Sequence, residues 1–218
     1  MSRIGVYPPV DGADGVPSLR TLGPTVASNG WALTTHRNPT PALNKYVGWT
    51  LDPKDAVSAG TALSAGRLYY GLIKVPVSLT GVTGVDLEVT TGSGASSNCY
   101  LGLYTISGTT ATLAIGSADQ SASWNTSGAK SVTLSSTPLT GGNNVVCAVA
   151  ILFGAVTTAP KILCQTANSL RPNKGLTAGV DVLRWGLLST TGLTAMPASF
   201  DLTSCAANEP NFYALVGA

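Results

Sequence analysis

From residue 67 onward the chain alternates short apolar segments with turns. Residues 85–90 show the pattern most clearly, since Val85, Leu87 and Val89 would lie on one face of a strand and polar side chains on the other. This period of two is typical of a half-buried antiparallel strand. Similar segments predict about nine strands, at residues 68–75, 85–90, 99–106, 111–115, 130–134, 145–153, 161–165, 182–188 and 211–216.

One of these segments differs from the others. Residues 145–153 are apolar at every position, which predicts a central strand or one that a neighbouring element covers. No alternation of strands with helical segments is visible, so the pattern does not favour a parallel α/β fold. The pattern predicts an all-β protein, an antiparallel β-sandwich of jelly-roll or Greek-key type spanning residues 67–218.

Residues 1–66 lack this periodicity. They contain seven of the thirteen prolines and the single histidine, with turn-forming pieces throughout. We interpret residues 1–66 as an extended N-terminal arm for attachment or subunit contact. An ordered arm must bury apolar side chains to offset its conformational entropy. The candidate anchors are Tyr7, Leu19, Leu22, Trp31, Tyr46 and Trp49.

Composition supports the β assignment and adds a surface property. Serine and threonine supply 48 of the 218 residues, with 25 glycines and 13 prolines, while only 10% of the chain is charged. A net charge of +2 without clustered cations excludes a basic nucleic-acid-binding protein. So few charges favour a surface that contacts other subunits, and the alternative is a neutral secreted β-protein.

Features of targeting and redox chemistry are sparse. The first twelve residues contain no continuous apolar stretch and two prolines, so we expect no signal peptide. The longest apolar run, residues 145–156, is too short for a spanning helix, so we expect no membrane insertion. The four cysteines contain no CxxC pair, so we expect free buried thiols in a protein made in a reducing cytoplasm. One or two disulfides remain the alternative.

The candidates for catalysis each have a simpler structural explanation. His36 is the only histidine, and no nucleophile-elbow motif accompanies it. Asp52 and Asp55 flank a proline and a lysine, as at a helix start or turn. Asp86 and Glu88 share the outward face of one strand, which favours a solvated face over a hydrolase.

The candidates for ligand binding are equally weak. Asp11 and Asp14 supply too few carboxylates for a calcium loop, and residues 92–97 lack the context of a phosphate-binding motif and predict a flexible hairpin loop. The sequence therefore predicts no enzyme, no cofactor and no metal site. Among the tryptophans, Trp124 is the candidate for stacking on a sugar, against the alternative that each ring fills the core or a subunit seam.

A resemblance to a known family rests on a set of short motifs. They are Tyr100-Leu-Gly-Leu-Tyr104, Leu113-Ala-Ile-Gly-Ser-Ala-Asp-Gln120, Trp124-Asn125, Val132-Thr-Leu134, Pro138-Leu139, Gly141-Gly142 and Thr157-Thr-Ala-Pro160. Over residues 68–165 this pattern resembles a β-sandwich module in virion structural proteins, of minor tail or decoration type, from tailed phages that infect actinobacteria. The chain departs from the family pattern at Thr105, where an acidic residue is usual, and at residues 145–147, where aromatic residues are usual.

The resemblance implies a structural component of a bacteriophage virion, most often a minor tail or tail-tip protein that acts by assembly contacts. A capsid decoration protein on the phage head is the first alternative, and a tail module that binds a host receptor or cell-surface glycan is the second. We expect the protein to be made in the host cytoplasm and located in the virion. Its partners would be other virion proteins and further copies of the chain, with a trimer as the first expectation.

Overall fold

A computed structural model of the chain describes residues 46–51, 55–56, 59–60, 62–75, 79–139, 145–165, 183–206, 212 and 214–217. The chain divides into two units, residues 1–44 and 45–218, and every described residue belongs to the second. Among the described residues, no helix is both long and apolar enough to cross a membrane.

The described residues form a sandwich-like all-β fold, as predicted, in which every strand pair is antiparallel. One four-residue helix, α1 (Ser121–Trp124), and a 3₁₀ turn at Leu202–Ser204 interrupt the strands. The strands are β1 (Tyr46–Trp49), β2 (Arg67–Val75), β3 (Leu79–Thr91), β4 (Ser96–Ser107), β5 (Thr110–Gly116), β6 (Gly128–Leu139), β7 (Val145–Val156), β8 (Lys161–Ile162), β9 (Trp185–Leu188), β10 (Ser199–Asp201), β11 (Cys205–Ala206) and β12 (Ala214–Gly217).

The strands belong to two sheets. The smaller sheet has the order β1-β12-β3-β6, with β8 also paired to β3, and the larger has the order β10-β5-β4-β7-β2-β9-β11. β7 is therefore the central strand of the larger sheet, which confirms the prediction made from its apolar sequence. Its residues from Cys147 to Phe153 are 0% exposed.

The larger sheet is curled. Its two outermost strands, β10 and β11, are joined by only the three residues of the 3₁₀ turn. The four residue steps from Asp201 to Cys205 can span at most about 14 Å, whereas the outer strands of a flat seven-stranded sheet lie about 29 Å apart. The ring of Phe200 in β10 also lies 5.7 Å from that of Tyr70 in β2, although three strands separate them in the sheet.

The two faces of the curled sheet bury two separate apolar cores. The convex core lies between the two sheets and includes Val85, Leu101, Phe153 and Val216. The concave core lies inside the curl and includes Tyr70, Tyr104, Phe200 and Leu202.

Residues 189–198, which we call the strap, connect β9 to β10 beside the concave core. The Leu193 amide donates to the Gly66 carbonyl, and the Tyr104 hydroxyl donates to the Pro197 carbonyl at 2.9 Å. The Leu113 amide donates to the Ala198 carbonyl at 2.9 Å. The strap is thus held to the residue that precedes β2 and to the middles of β4 and β5, and it closes the concave core without a second sheet.

β1 lies within the range that the sequence analysis assigned to the arm. It pairs with β12, and the Thr50 amide that follows it donates to the Ala214 carbonyl at 3.1 Å. Residues 46–50 are therefore part of the smaller sheet. β10 and β11 were also not predicted, and predicted residues 161–165 form a strand only at Lys161–Ile162, followed by an isolated bridge from Cys164 to Phe212.

Candidate functional site: the crossover end

Three connections cross from one sheet to the other at the same end of the sandwich. They are residues 92–95 between β3 and β4, residues 117–127 between β5 and β6, and residues 157–160 between β7 and β8. We call these three connections the crossover end. The predicted hairpin loop at residues 92–97 is therefore wrong in its topology, because the strands on either side of it belong to different sheets.

Ser93 ties the three connections together. Its side chain is buried at 0% exposure, its amide donates to the Trp124 carbonyl at 3.0 Å, and its carbonyl accepts from the Thr158 amide at 3.1 Å. Its hydroxyl donates to Ser96 Oγ at 2.9 Å. A buried polar group with several partners fixes the backbone around it, so residues 92–95 are held on both sides.

Two neighbours of Ser93 explain why glycine and asparagine occur here. A Cβ at Gly92 would lie 2.1 Å from the Asn125 carbonyl oxygen, so this close approach of two backbones excludes any side chain. Ser96 Oγ donates to Asn125 Oδ1 at 2.8 Å, which joins the first connection to the second through side chains.

Asp119 fixes the second connection from its other end. Its carboxylate accepts hydrogen bonds from the amides of Asn98, Cys99 and Ser121 at 3.2, 3.0 and 2.9 Å, and from the Ser121 hydroxyl. Slight desolvation opposes ionisation, but these hydrogen bonds outweigh it and hold the pKa of Asp119 below its ordinary value. The carboxylate therefore acts as an internal anchor for the start of β4 and of α1.

The surface of the crossover end is almost free of charge. Asp119 is the only ionisable residue in its three connections. The exposed side chains are small, and they are Ala95, Ala118, Asp119, Ala122, Ser123, Thr126, Ser127, Thr157, Thr158 and Ala159. Such a surface loses little hydration free energy when another protein covers it, and short side chains lose little conformational entropy.

The structure corrects the proposed stacking role of Trp124. The ring is 0% exposed and belongs to the convex core, where its centroid lies 5.0 Å from that of Phe153. A ring with no exposed surface cannot stack on a ligand, so Trp124 follows the alternative interpretation of a core residue. The ring lies at the end of the short helix α1, of which Trp124 is the buried residue.

The predicted arm anchors fall into two groups. Tyr7, Leu19, Leu22 and Trp31 lie outside the described residues, as do His36, Asp52, Asp11 and Asp14. Tyr46 and Trp49 lie in β1, where the Tyr46 hydroxyl donates to Asp86 Oδ2 at 2.7 Å.

The carboxylates of β3 lie where the pattern predicted. Asp86 is half-buried and Glu88 is exposed, on the face of the smaller sheet away from the convex core. Asp86 accepts the Tyr46 hydroxyl and so helps to hold β1 to its sheet. Within the described part of the chain, no group of three His, Cys, Asp or Glu residues is placed to hold a metal ion.

The cysteines are free thiols. Cys99, Cys147 and Cys164 are buried and Cys205 is half-buried. Burial raises the pKa of the Cys147 and Cys205 thiols to about 11, which keeps them protonated and unreactive near neutral pH.

The sequence did not identify Ser93, Ser96 or Asp119 as structural anchors, although Asp119 lies in one of the motifs that carry the family resemblance. An Asp two residues before a serine is a common turn-forming pattern, and it could have indicated Asp119 as a backbone anchor. The role of Ser93 depends on contacts with residues about 30 and 65 positions away, for which the sequence carries no local pattern.

No protein-family model matches the chain, and no curated protein matches it closely enough to show a relationship.

Proposed function

We propose that the chain is a structural component of a bacteriophage virion, a minor tail or tail-tip protein that acts by assembly contacts. The observation that carries this proposal is the crossover end, an internally hydrogen-bonded surface of small side chains with a single ionisable residue. A rigid surface with a single charge suits permanent contact with a protein neighbour. The family resemblance supplies the phage context.

Residues that carry the resemblance have structural roles in this fold. Asp119 anchors backbone amides, Trp124 fills the convex core, and Tyr104 is buried in the concave core with its hydroxyl bound to the strap. Such residues preserve a scaffold. They support a shared fold with the phage module and indicate no chemistry of their own.

Locating the chain in the intact particle tests the proposal directly. Electron cryomicroscopy of the phage, with a small tag inserted after residue 218, should show tag density on the tail or its tip. Density on the head would replace the tail assignment with the decoration alternative. Purified particles that contain none of the chain would overturn the proposal altogether.

Testing whether the arm attaches the protein to the particle requires a truncation shorter than residues 1–66. Removing residues 1–66 would also delete β1 and expose the edge of β12, so a loss of incorporation would be ambiguous. Removing residues 1–44 leaves the described unit complete. We expect this variant to fold, with unchanged circular dichroism, and to be lost from the particle, whereas normal occupancy would contradict the arm hypothesis.

A further inference from the structure

Among the described strands, the orders of the two sheets end in four outermost strands, and only one of these is long. β1 has four residues, β10 three and β11 two, and the 3₁₀ turn brings β10 and β11 close together. Short or closed edges are the usual protection against pairing with other chains. β6, at the fourth edge, has twelve residues.

Within the part of the chain that the structure describes, one side of β6 is available for pairing. β3 forms the ladder on its other side, regular from Gly128 to Thr133 and irregular beyond. None of the described strands pairs with the second side, and β5 of the larger sheet lies nearby without forming a ladder with it.

The direction of the backbone groups identifies which residues face this open edge. The Glu88 carbonyl accepts from the Leu163 amide on the β8 side of β3, so residues 85, 87 and 89 direct their groups toward β6. Val132 lies opposite Val85, and its carbonyl oxygen points at β3, where it would lie 3.0 Å from a Cβ on Gly84. The amides and carbonyls of Ser131 and Thr133 therefore point away from β3.

The side chains alternate in step with the backbone. Ser131 and Thr133 are exposed, whereas Val132 and Leu134 are buried in the convex core. Residues 131–137 contain no charge, glycine or proline, the residue types that commonly block edge pairing. The open edge thus offers unpaired backbone groups beside small hydroxyl side chains.

We propose that this edge pairs antiparallel with β6 of a second copy of the chain, about a two-fold axis close to Ser131. This symmetry places odd-numbered residues of one copy opposite odd-numbered residues of the other. The amides and carbonyls that point away from β3 in one copy therefore face those of the second copy. The exposed hydroxyl side chains of the two copies then lie on the same face of the joined sheet, and the side chains that face the convex core lie on the other face. Lys130 is the single charge of β6, so two copies meet with little repulsion.

This inference rests on the proposed assembly function and identifies a second copy of the chain as one partner. Self-association can nevertheless be measured on the purified chain, without a particle. A failure of self-association would leave the virion assignment open, and absence from the virion would leave the two-fold contact testable. The contact also differs from the expected trimer, because an edge opposite its own copy joins two chains and not three.

The central test is Ser131→Pro in the full-length chain. Proline removes an amide that faces the open edge and leaves the ladder with β3 intact. Because Ser131 lies opposite its own copy, the substitution removes both central hydrogen bonds of the pair. Sedimentation velocity over a concentration series should show twice the monomer mass for the wild type and at least tenfold weaker association for the variant.

Matched variants separate backbone pairing from side-chain effects. Ser131→Val retains the amide and should remain a dimer. Ser131→Lys places two lysines directly opposite each other and should dissociate the pair, whereas Thr83→Lys, an exposed position on central strand β3, should not. If Ser131→Pro fails to fold by circular dichroism, the comparison of the two lysine variants decides the question.

Three results would overturn the proposal. They are a wild type that stays monomeric across the series, a wild type with three times the monomer mass, and a dimer that Ser131→Lys leaves unchanged.

Discussion

The two cores on either side of the larger sheet are built differently. The convex core is covered by a second sheet and is mostly aliphatic, with Trp124 packed on Phe153. The concave core is closed by the curl itself and contains two tyrosines, each with its hydroxyl bound to a backbone carbonyl outside the strands. A sheet with two apolar faces therefore does not require two covering layers, because curvature and one connection cover the second face.

The largest effect should come from removing an aromatic ring from each core. Phe153→Ala deletes a 0% exposed ring from the central strand, and we expect a loss of about 3–5 kcal/mol in the free energy of unfolding. Phe200→Ala removes a ring from a three-residue edge strand that can relax, and we expect a loss near the lower end of that range. Urea unfolding of both variants measures the difference. Equal losses would mean that the short edge strand β10 relaxes no more than the central strand β7.

A smaller effect should follow from opening the curl at the contact between β9 and β11. A Cβ on Gly186 in β9 would lie 2.6 Å from the Ala206 carbonyl oxygen in β11, so Gly186→Ala must displace backbone. We expect a loss of about 1–3 kcal/mol. Gly116→Ala in β5, where the nearest atom would lie 4.0 Å away, is the matched control and should be close to neutral. Equal unfolding midpoints for the two variants would show that the β9–β11 contact contributes nothing.

Removing one hydroxyl from the concave core tests the strap alone. Tyr104→Phe deletes the hydrogen bond to the Pro197 carbonyl and keeps the ring against Phe200, whose centroid lies 5.0 Å away. We expect a loss of about 1 kcal/mol. Hydrogen exchange should rise at the Leu193 and Leu113 amides, which join the strap to its neighbours, and stay constant at the amides of β12.

Acid should destabilise the crossover end and the 3₁₀ turn, each through the protonation of one carboxylate. Hydrogen bonds lower the pKa of Asp119 at the crossover end and, chiefly through the Thr203 amide, that of Asp201 before the 3₁₀ turn. A lowered pKa contributes stability above the ordinary value of about 4 and loses it as the pH falls through the lowered value. Thermal unfolding between pH 6 and pH 2 should show this decline.

Substituting asparagine for Asp119 or Asp201 tests whether these carboxylates cause the loss of thermal stability in acid. Asp119→Asn and Asp201→Asn should each unfold at a lower temperature than the wild type at pH 6 and show a shallower loss in acid. A decline that neither substitution reduces would assign the acid sensitivity to other groups.

The long strands could be predicted because their patterns are local. The alternation in β3 and the fully apolar run in β7 record, respectively, one and two buried faces, and both elements occur where expected. β1, β10 and β11 have two to four residues each, and their strand conformation depends on partners distant in sequence. A short segment with a remote partner carries no periodicity to read.

The candidate site was harder to predict from the sequence than the fold, because its contacts also join residues that are distant in the chain. Turn residues at 92–97 were evident, but a turn that reverses a hairpin and one that crosses between sheets use similar residues. The burial of Trp124 and Ser93 follows from that crossing. The small number of charged residues is evident in the sequence. The structure adds that the crossover end is one surface from which charged side chains are almost absent.

The order of the strands along the chain also bears on how the protein is made. β9, which pairs with β2, and β12, which lies between β1 and β3, both come after residue 184. Neither sheet is complete until almost the whole chain has been synthesised, so contacts between its two ends dominate the search for the native state. We expect folding to wait until the residues of β12 have left the ribosome and then to take milliseconds to seconds, with the open edges of β2 and β3 exposed to other chains until the last strands arrive.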